Sequence, residues 1–297
     1  MSPTFGRTRA RRRWRRLGHA GLLLAVTVYC VFPIYFMLVQ SLKSAHEDVF
    51  GNPLIVTQPT LENFEELFER KGQPRNFVGR ALRRDYPFFV WLENTLVIFG
   101  GSVAITLAAS MAAAYALGRL RPPGFRWWRR AIFATYIVPQ TILFVPLYQV
   151  VIRLGLDDNP LLLLAVYPTM ALPFCVWMLS AYFQNLPREI EESALVEGAS
   201  RAAAFYRIVL PMSRPVLIAA GIFTLGTIAS DFMIASVFLL SEHNQTIPAG
   251  LATMEVALDE LLAVAGINLM AIPVVLVCAV FARGYVRGLT AAMVEGA

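Results

Sequence analysis

Long stretches without charged side chains dominate the pattern of this sequence. Five stretches contain no Asp, Glu, Lys or Arg, and a sixth is interrupted only by Asp231. In chain order they are 17–42, 94–118, 131–152, 159–187, 215–241 and 261–282. A helix needs about 20 apolar residues to cross a bilayer, and in lipid only a helix satisfies the backbone of such a segment internally. The pattern therefore predicts an all-α, polytopic membrane protein with six transmembrane helices.

The composition also favours a bilayer over water as the solvent of most side chains. Of the 297 residues, 57% are hydrophobic and 15% are charged, whereas soluble domains have about 25% charged residues. Cys30, Cys175 and Cys278 all lie in apolar stretches, and neither they nor the three histidines show the spacing of metal ligands. We interpret the cysteines as packing residues and predict no metal site.

The distribution of arginine predicts the orientation. Arginines are concentrated in the tail 1–16 and in the link 119–130, and both are expected on the cytoplasmic side. An even number of spans places the C-terminus there too. The predicted organisation is a basic cytoplasmic tail 1–16, a permease domain 17–290 and a cytoplasmic tail 291–297. A nucleic-acid-binding arm is disfavoured because an apolar span follows the arginines directly.

The segments on the predicted outer side contain amphipathic patterns. Leu61, Phe64, Leu67 and Phe68 recur at helical spacing after a proline, within the long segment 43–86. A similar pattern occupies 250–262. These segments predict short surface helices and leave no soluble domain of ordinary size.

The loop 187–211 between the fourth and fifth spans has the local chemistry of two short helices joined by a turn. Pro187 and the acidic residues after it suit a helix N-terminus. Gly198 is placed to end this helix in a left-handed conformation, and Ser200 to cap the next one. The residues alone leave two interpretations open: a rigid helical projection into the cytoplasm, or a connector lying on the membrane surface.

The same loop resembles a known family motif. Permeases of ABC-type importers carry an "EAA" loop, which is Glu-Ala-Ala, three residues, Gly, nine residues, Ile, one residue and Leu-Pro. This sequence has Glu192, Ser193, Ala194, Gly198, Ile208, Leu210 and Pro211 at that spacing, with Ser193 in place of the first Ala. The loop is therefore identified as similar to the coupling loop of these permeases, and we call 187–211 the coupling loop below.

Further segments resemble the MalG-type branch of carbohydrate importers. They are 59–64 (PTLENF), 114–120 (AYALGRL), 138–139 (VP), 146–148 (PLY), 155–156 (GL), 171–174 (ALPF), 287–292 (RGLTAA) and 295–296 (EG). One departure is at 229–232, where this chain has Ala-Ser-Asp-Phe and the family commonly has Trp-Asn-Glu-Phe.

The resemblance implies a partner for each part of the transport cycle. It implies a second, MalF-like permease subunit in the bilayer, two ATPase subunits that bind ATP and Mg, and an extracytoplasmic solute-binding protein. No phosphate-binding loop occurs in this chain, so ATP chemistry must come from the partner. The implied location is the bacterial cytoplasmic (inner) membrane, as a multi-pass protein that is not itself an enzyme.

The resemblance also implies roles for individual residues. Glu192 is the expected polar contact with the ATPase, and Gly198 the expected turn. The close-packing positions are Ser193, Ala194 and Ala199. The motif residues Ile208, Leu210 and Pro211 complete the expected ATPase-coupling set. Of the apolar residues here, Phe205 and Ile208 are expected to pack against the spans of the same subunit. A second contact with the ATPase is expected at 290–297, and one with the solute-binding protein at 241–266.

Asp231 is the one acid inside a predicted span. An acid at the centre of a span costs about 2.5–3.5 kcal/mol on insertion scales, so it should face the interior of the bundle. Asp231, with Ser230, either lines the transport pathway or makes a structural hydrogen bond to another helix. The sequence leaves both interpretations open.

Other classes of function remain as alternatives. An ion-coupled secondary transporter needs several ionisable groups along the spans, and only Asp231 is clearly placed in this way. A membrane enzyme is disfavoured because no nucleophile–base pair or His-rich cluster occurs at membrane depth. Within the importer class, a sugar phosphate, a polyol or a polyamine is an alternative cargo to a sugar or oligosaccharide.

Overall fold

Helices make up nearly all of the structure, a computed structural model that describes residues 5–69, 75–77, 80–82, 87–138, 140–254 and 256–294. The α-helices are α1 Phe5–Ser41, α2 Ala45–Phe50, α3 Glu62–Glu69, α4 Phe88–Tyr115, α5 Phe125–Ile137, α6 Gln140–Arg153, α7 Leu163–Asn185, α8 Arg188–Val196, α9 Arg201–Ala204, α10 Leu210–Met212, α11 Arg214–Ala229, α12 Met233–Phe238, α13 Ile247–Thr253 and α14 Val256–Val294. The described strands are β1 Arg75–Phe77 and β2 Arg80–Leu82, which the sequence did not predict. They pair antiparallel, with Arg75 opposite Leu82.

Four helices in the described part of the chain are long and apolar enough to cross a membrane. They contain Leu17–Ser41, Phe88–Leu120, Pro160–Asn185 and Glu260–Val286. A fifth span is formed if Arg201–Met212 and Arg214–Ala229, which meet at a bend of 74°, are counted together. A helical, polytopic membrane protein is thereby confirmed. The count of six spans and the side on which the termini lie remain predictions.

The third predicted span, 131–152, is not one continuous helix. It is divided between α5 and α6 at Val138, whose backbone is extended (φ −69°, ψ 123°). The residue that follows Val138 in the sequence is a proline, and a residue before proline is pushed away from the helical region by the proline ring. Absence of charge predicted a span here but could not show that the helix is interrupted.

The fifth predicted span, 215–241, is also interrupted. Helix α11 ends at Ala229 and α12 begins at Met233, and Asp231 lies in the gap between them. The Asp231 carboxylate accepts hydrogen bonds from the backbone N–H groups of Ile234 (3.3 Å) and Ala235 (3.4 Å). The side chain thus starts a new helix instead of continuing the old one, which is how Asp competes with a helical backbone.

Helices α4 and α7 form the most extensive helix pair of the described structure. The buried face of α4 is a stripe of small residues at every fourth position: Ser102, Thr106, Ser110, Ala114 and, just beyond the helix end, Gly118. Small residues allow the backbones of membrane helices to approach closely. A Cβ atom at Gly118 would lie 2.9 Å from the carbonyl oxygen of Ser180 on α7, so only glycine fits there.

The short helices α3 and α13 cover one end of this bundle. Leu67 of α3 and Leu251 of α13 are buried in a cluster with Phe88 and Trp91 at the start of α4. The amphipathic helix predicted after Pro59 is therefore present as α3. The short helix predicted over 250–262 is not present as such: α13 ends at Thr253, and the region from Val256 onward belongs to the long helix α14.

Candidate functional site

The coupling loop has the predicted pair of helices with a glycine turn between them. Helix α8 ends at Val196, and Gly198 follows with φ +91°, in the left-handed region. The N–H of Ala199 returns to the carbonyl oxygen of Ala194 (2.9 Å), which closes the end of α8. Ser200 then caps α9, because its hydroxyl oxygen accepts a hydrogen bond from the N–H of Ala203 (3.2 Å).

The first helix of the loop presents polar and small residues to its surroundings. Glu192 and Ser193 are exposed, and Ala194 and Ala199 are half-buried. The hydroxyl of Ser193 donates to the carbonyl oxygen of Glu189 (2.8 Å), so the departure from Ala is accommodated within the helix itself. The predicted contact positions of α8 are therefore accessible or nearly so.

Glu191 has the opposite environment to its neighbour Glu192, and sequence reasoning missed its role. Its carboxylate is buried against the end of α4, where Oε2 lies 3.0 Å from Nε of Arg119. The hydroxyl of Tyr115 donates to its other oxygen, Oε1 (2.5 Å). Arg119 also donates from Nη1 and Nη2 to the carbonyl oxygens of Leu186 (2.8 Å) and Pro187 (3.1 Å).

This set of contacts fastens the start of α8 to a different span from the one that precedes it in the chain. The Arg119 and Glu191 side chains are 5% and 12% exposed, so their charges are largely removed from water and depend on each other. Arg119 belongs to the π-helical segment Ala116–Leu120 that extends α4. We call Tyr115, Arg119 and Glu191 the inner clamp.

The second half of the loop packs against its own chain. Val209 is buried and Phe205, Ile208 and Leu210 are half-buried. The Phe205 ring lies 4.7 Å from the Tyr115 ring, so this half of the loop also rests on the end of α4. Pro211 lies in α10, immediately before α11.

Apolar side chains are nevertheless exposed on the loop. Val196, Tyr206 and Ile190 are 88%, 63% and 41% exposed. Val196 and Ile190 lie outside the candidate spans, whereas Tyr206 lies in Arg201–Met212, the first helix of the bent pair that can count as a fifth span. The motif positions did not include these three residues, although their hydrophobicity in a loop rich in charge was visible in the sequence.

Asp231 lies within hydrogen-bonding distance of another helix, and Ser230 lies on an open groove. The hydroxyl of Tyr167, a fully buried residue of α7, donates to Oδ2 of Asp231 (3.0 Å). Ser230 lines a groove of about 610 Å³ between α11, α13 and α14, together with Phe232 and Glu260. The structure therefore separates the two candidates: Asp231 makes structural hydrogen bonds, and Ser230 faces the groove.

The sequence matches a known protein family over most of its length. The sequence profile of the family described as "Binding-protein-dependent transport system inner membrane component" matches residues 87–293. The chain belongs to this family. It is accordingly a permease subunit of an ATP-driven importer, which works with a partner ATPase and a solute-binding protein.

Individual relatives agree with this assignment. The permease is 31% identical over 290 residues to the inner membrane ABC transporter permease protein YcjP of Escherichia coli (strain K12), covering 96% of this chain and 99% of that one. It is 27% identical to the trehalose/maltose transport system permease protein MalG of Thermococcus litoralis, covering 92% and 94%. It is 27% identical to the diacetylchitobiose uptake system permease protein DasC of Streptomyces coelicolor, covering 90% and 92%.

A solved structure shares the fold of the permease. It is a crystal structure of a bacterial ABC transporter involved in the import of the acidic polysaccharide alginate. The matched chain superposes with a TM-score of 0.75 at 20% identity, and the match covers 91% of this permease and 96% of that chain.

At the other end of α4, the permease holds the segment 241–247 by its backbone. Four hydrogen bonds join them. Trp91 Nε1 donates to the backbone carbonyl oxygen of Glu242 (2.6 Å), and Asn94 Nδ2 donates to those of His243 and Gln245 (both 3.0 Å). In the fourth, the backbone N–H of Ile247 donates to Thr95 Oγ1 (2.8 Å). We call Trp91, Asn94 and Thr95 the outer clamp. The segment lies within 241–266, where contact with the solute-binding protein was predicted.

Asp158 holds the same segment of the permease from the opposite side. Its carboxylate accepts hydrogen bonds from the N–H (2.8 Å) and the hydroxyl of Ser241, and its carbonyl oxygen accepts one from Asn244 (2.6 Å). Partial burial acts to raise the pKa of Asp158, but the hydrogen bonds outweigh it and the pKa is lowered below its ordinary value. The 241–247 segment is therefore held rigidly between α4 and the link before α7.

Proposed function

We propose that this permease forms half of the translocation pathway for a sugar or an oligosaccharide, and that ATPase motion enters it through the coupling loop. The cargo class is supported by the relatives from Thermococcus litoralis and Streptomyces coelicolor, which are named for the transport of trehalose and maltose and of diacetylchitobiose. We further propose that the pore is a heterodimer with a MalF-like second permease and that two ATPase subunits bind to it. This chain has six spans with cytoplasmic termini in the proposal. Its location is the bacterial inner membrane.

The observation that carries the proposal is the fixed geometry of the coupling loop. A loop that transmits force has to be rigid itself and attached firmly to the spans it moves. Helix α8 is closed by Gly198, clamped at Glu191 and backed by Phe205, while Glu192, Val196 and Tyr206 stay exposed. This arrangement fits a projection that seats in a cleft of the ATPase better than a connector lying in the headgroup layer.

Within the loop, we assign polar contact with the ATPase to Glu192 and close contact to the small residues beside it. Ser193, Ala194 and Ala199 let the partner backbone approach, and Gly198 supplies the turn. Ile208, Leu210 and Pro211 keep the loop against the bundle and so act indirectly. The tail 290–297 is a second proposed contact.

We assign different roles to the two residues proposed for the pathway. Ser230 lies on the groove between α11, α13 and α14, where a polar solute could pass close to its hydroxyl. Asp231 shapes this wall by starting α12, and contributes to the pathway through the backbone it orders.

Reconstitution in lipid vesicles tests the proposal. The permease is co-expressed with the second permease and the ATPase, and the solute-binding protein is added outside. Uptake of a labelled panel of monosaccharides, oligosaccharides, a sugar phosphate, a polyol and a polyamine is measured with and without internal ATP. A matched complex whose ATPase lacks its phosphate-binding lysine is the control.

ATP-dependent uptake of one or more saccharides, absent in the control complex, is the expected result. ATP-dependent uptake confined to the sugar phosphate, the polyol or the polyamine would overturn the cargo class and keep the importer. Uptake driven by an ion gradient without any ATPase subunit would overturn the proposal as a whole.

A further inference from the structure

Both ends of the second span hold a loop by specific polar contacts, although neither loop is its neighbour in the chain. The inner clamp grips the coupling loop and the outer clamp grips the 241–247 segment. We infer that α4 and its π-helical extension act as a strut, which couples the outer surface that meets the solute-binding protein to the loop that meets the ATPase. This inference rests on the proposed function of the two loops.

The outer clamp fixes the position of the backbone it holds. All four of its hydrogen bonds join a side chain of α4 to a main-chain N–H or carbonyl group of the segment. Main-chain contacts hold the path of the chain whatever its own side chains contact. Since Asp158 holds the same segment from the other side, a push on the segment is delivered to the first turns of α4.

The inner clamp contacts the coupling loop at three places: Glu191, the carbonyl oxygens just before α8, and Phe205. Arg119 contacts the carboxylate of Glu191 and, with its other two nitrogens, the carbonyl oxygens just before α8. Tyr115 donates to the same carboxylate and packs against Phe205 in the second half of the loop, with the two rings tilted by 60°. These contacts join α8 to the end of α4 by side chains that are far apart in the sequence.

The body between the two clamps is stiff. The segment from Asn94 to Arg119 is continuously helical, and at 1.5 Å per residue it is roughly 38 Å long. The helix packs extensively on α7, and the fit against α7 at Gly118 leaves no space for a Cβ atom. Rigid, closely packed secondary elements are among the structures that carry coupling between distant sites.

The strut makes a reciprocal prediction. If docking of the solute-binding protein changes the affinity of the complex for ATP by some factor, then ATP must change the affinity of the complex for the solute-binding protein by the same factor. Both effects should decline together when either clamp is weakened. Because the clamps share one helix, weakening both should reduce the coupling little more than weakening one. This is the non-additivity expected of residues that act as a unit.

Thr95 offers a matched pair of variants for the experiment. Thr95→Val keeps the shape and burial of the side chain but removes the oxygen that accepts from Ile247, whereas Thr95→Ser keeps that oxygen. Leu96→Ala, on the exposed side of the same turn, is the control outside the clamp. Glu191→Gln weakens the inner clamp, and the fourth complex carries Thr95→Val and Glu191→Gln together.

The measured quantity is the affinity of the purified solute-binding protein for the reconstituted complex, with and without ATP, using an ATPase variant that binds but does not hydrolyse ATP. In Thr95→Val and in Glu191→Gln, the ratio of the two affinities is expected to fall at least fivefold towards one. Thr95→Ser and Leu96→Ala should keep the ratio of the unmodified complex, and the double variant should match the single ones.

Two outcomes separate the inference from the proposed function. If the unmodified complex responds to ATP and Thr95→Val, assembled normally, responds equally, then the strut is wrong while the importer stands. If Thr95→Ser fails as badly as Thr95→Val, packing and not the hydrogen bond is responsible, and the strut is again wrong. If the unmodified complex neither binds the ATPase nor responds to ATP, the proposed function itself fails.

Discussion

The Oε2 atom of Glu191 lies 3.0 Å from the Nε atom of Arg119, and this contact joins the coupling loop to the end of the second span. Consecutive residues on a helix point about 100° apart, so Glu191 faces the bundle while Glu192 faces outward. Two adjacent glutamates thus perform different tasks. Glu191 contacts Arg119 and Tyr115 within the chain, whereas Glu192 is exposed and is the residue proposed to contact the ATPase.

These adjacent glutamates provide a direct comparison. Glu191→Gln leaves the buried guanidinium of Arg119 without its opposite charge, and breaking a buried pair in this way costs about 3 kcal/mol or more. Glu192→Gln removes an exposed charge and should change stability by less than about 0.5 kcal/mol. Thermal unfolding of the purified complex measures the stability change in both variants. Retention of the ATPase during purification measures whether Glu192 contacts the ATPase.

Glu192→Gln is expected to lose the ATPase with an unchanged melting temperature, and Glu191→Gln to melt earlier. Equal melting temperatures for the two variants would show that the inner clamp contributes nothing to stability. Full retention of the ATPase by Glu192→Gln would remove the proposed contact.

Gly198 is required for its backbone conformation and not for space. Its φ is +91°, and no atom lies within 4 Å of a Cβ built on it. Gly198→Val should therefore cost at least about 1–2 kcal/mol through backbone strain alone, and should shift the turn between α8 and α9. Gly198→Asn, a residue that tolerates left-handed conformations, is the matched control.

ATP-driven uptake by complexes carrying each variant is the measurement. Uptake is expected to be strongly reduced for Val and largely kept for Asn. If Val and Asn reduce uptake equally, a contact made by Gly198 with the ATPase is responsible, and the conformational explanation is wrong.

Variants of Asp231 distinguish two roles for this residue: a cap on the helix that follows it, or a charge that acts in the transport pathway. As a cap it needs an oxygen that accepts from the N–H groups of Ile234 and Ala235, and Asp231→Asn keeps one. Asp231→Ala removes both acceptors and leaves Tyr167 without its partner, which should cost about 1–3 kcal/mol. Uptake should survive in Asp231→Asn and fall in Asp231→Ala, together with the melting temperature.

Loss of uptake in Asp231→Asn at an unchanged melting temperature would instead assign the charge a direct part in transport. Tyr167→Phe, which removes only the donor, should behave like a mild destabilisation without a specific transport defect.

Lowering the pH should weaken the hydrogen bonds between Asp158 and the 241–247 segment. Its pKa is lowered in the folded protein by hydrogen bonds from the 241–247 region, despite partial burial. A lowered pKa stabilises the fold above the unfolded value of about 4, and this stabilisation is lost as the pH falls through the folded value. The melting temperature of Asp158→Asn should therefore fall less between pH 7 and pH 3 than that of the unmodified protein, and an identical fall would contradict the assignment.

Much of this protein was determined by local sequence. Continuous absence of charge predicted the membrane helices α1, α4, α7 and α14, since a bilayer accepts little else. Spacing within 187–211 predicted α8, the left-handed Gly198 and the Ser200 cap, because caps and turns depend on residues only a few positions apart.

Only the tertiary structure decided which helices carry the loop and where the spans are interrupted. Glu191 and Arg119, or Asn94 and Gln245, are far apart in the chain, so no local pattern reveals that they meet. The same holds for Asp231, whose carboxylate could have turned to a neighbouring helix or to its own backbone, and does both. Local chemistry thus defines the coupling loop, whereas the packing of α4 on α7 places the clamps at opposite ends of one span.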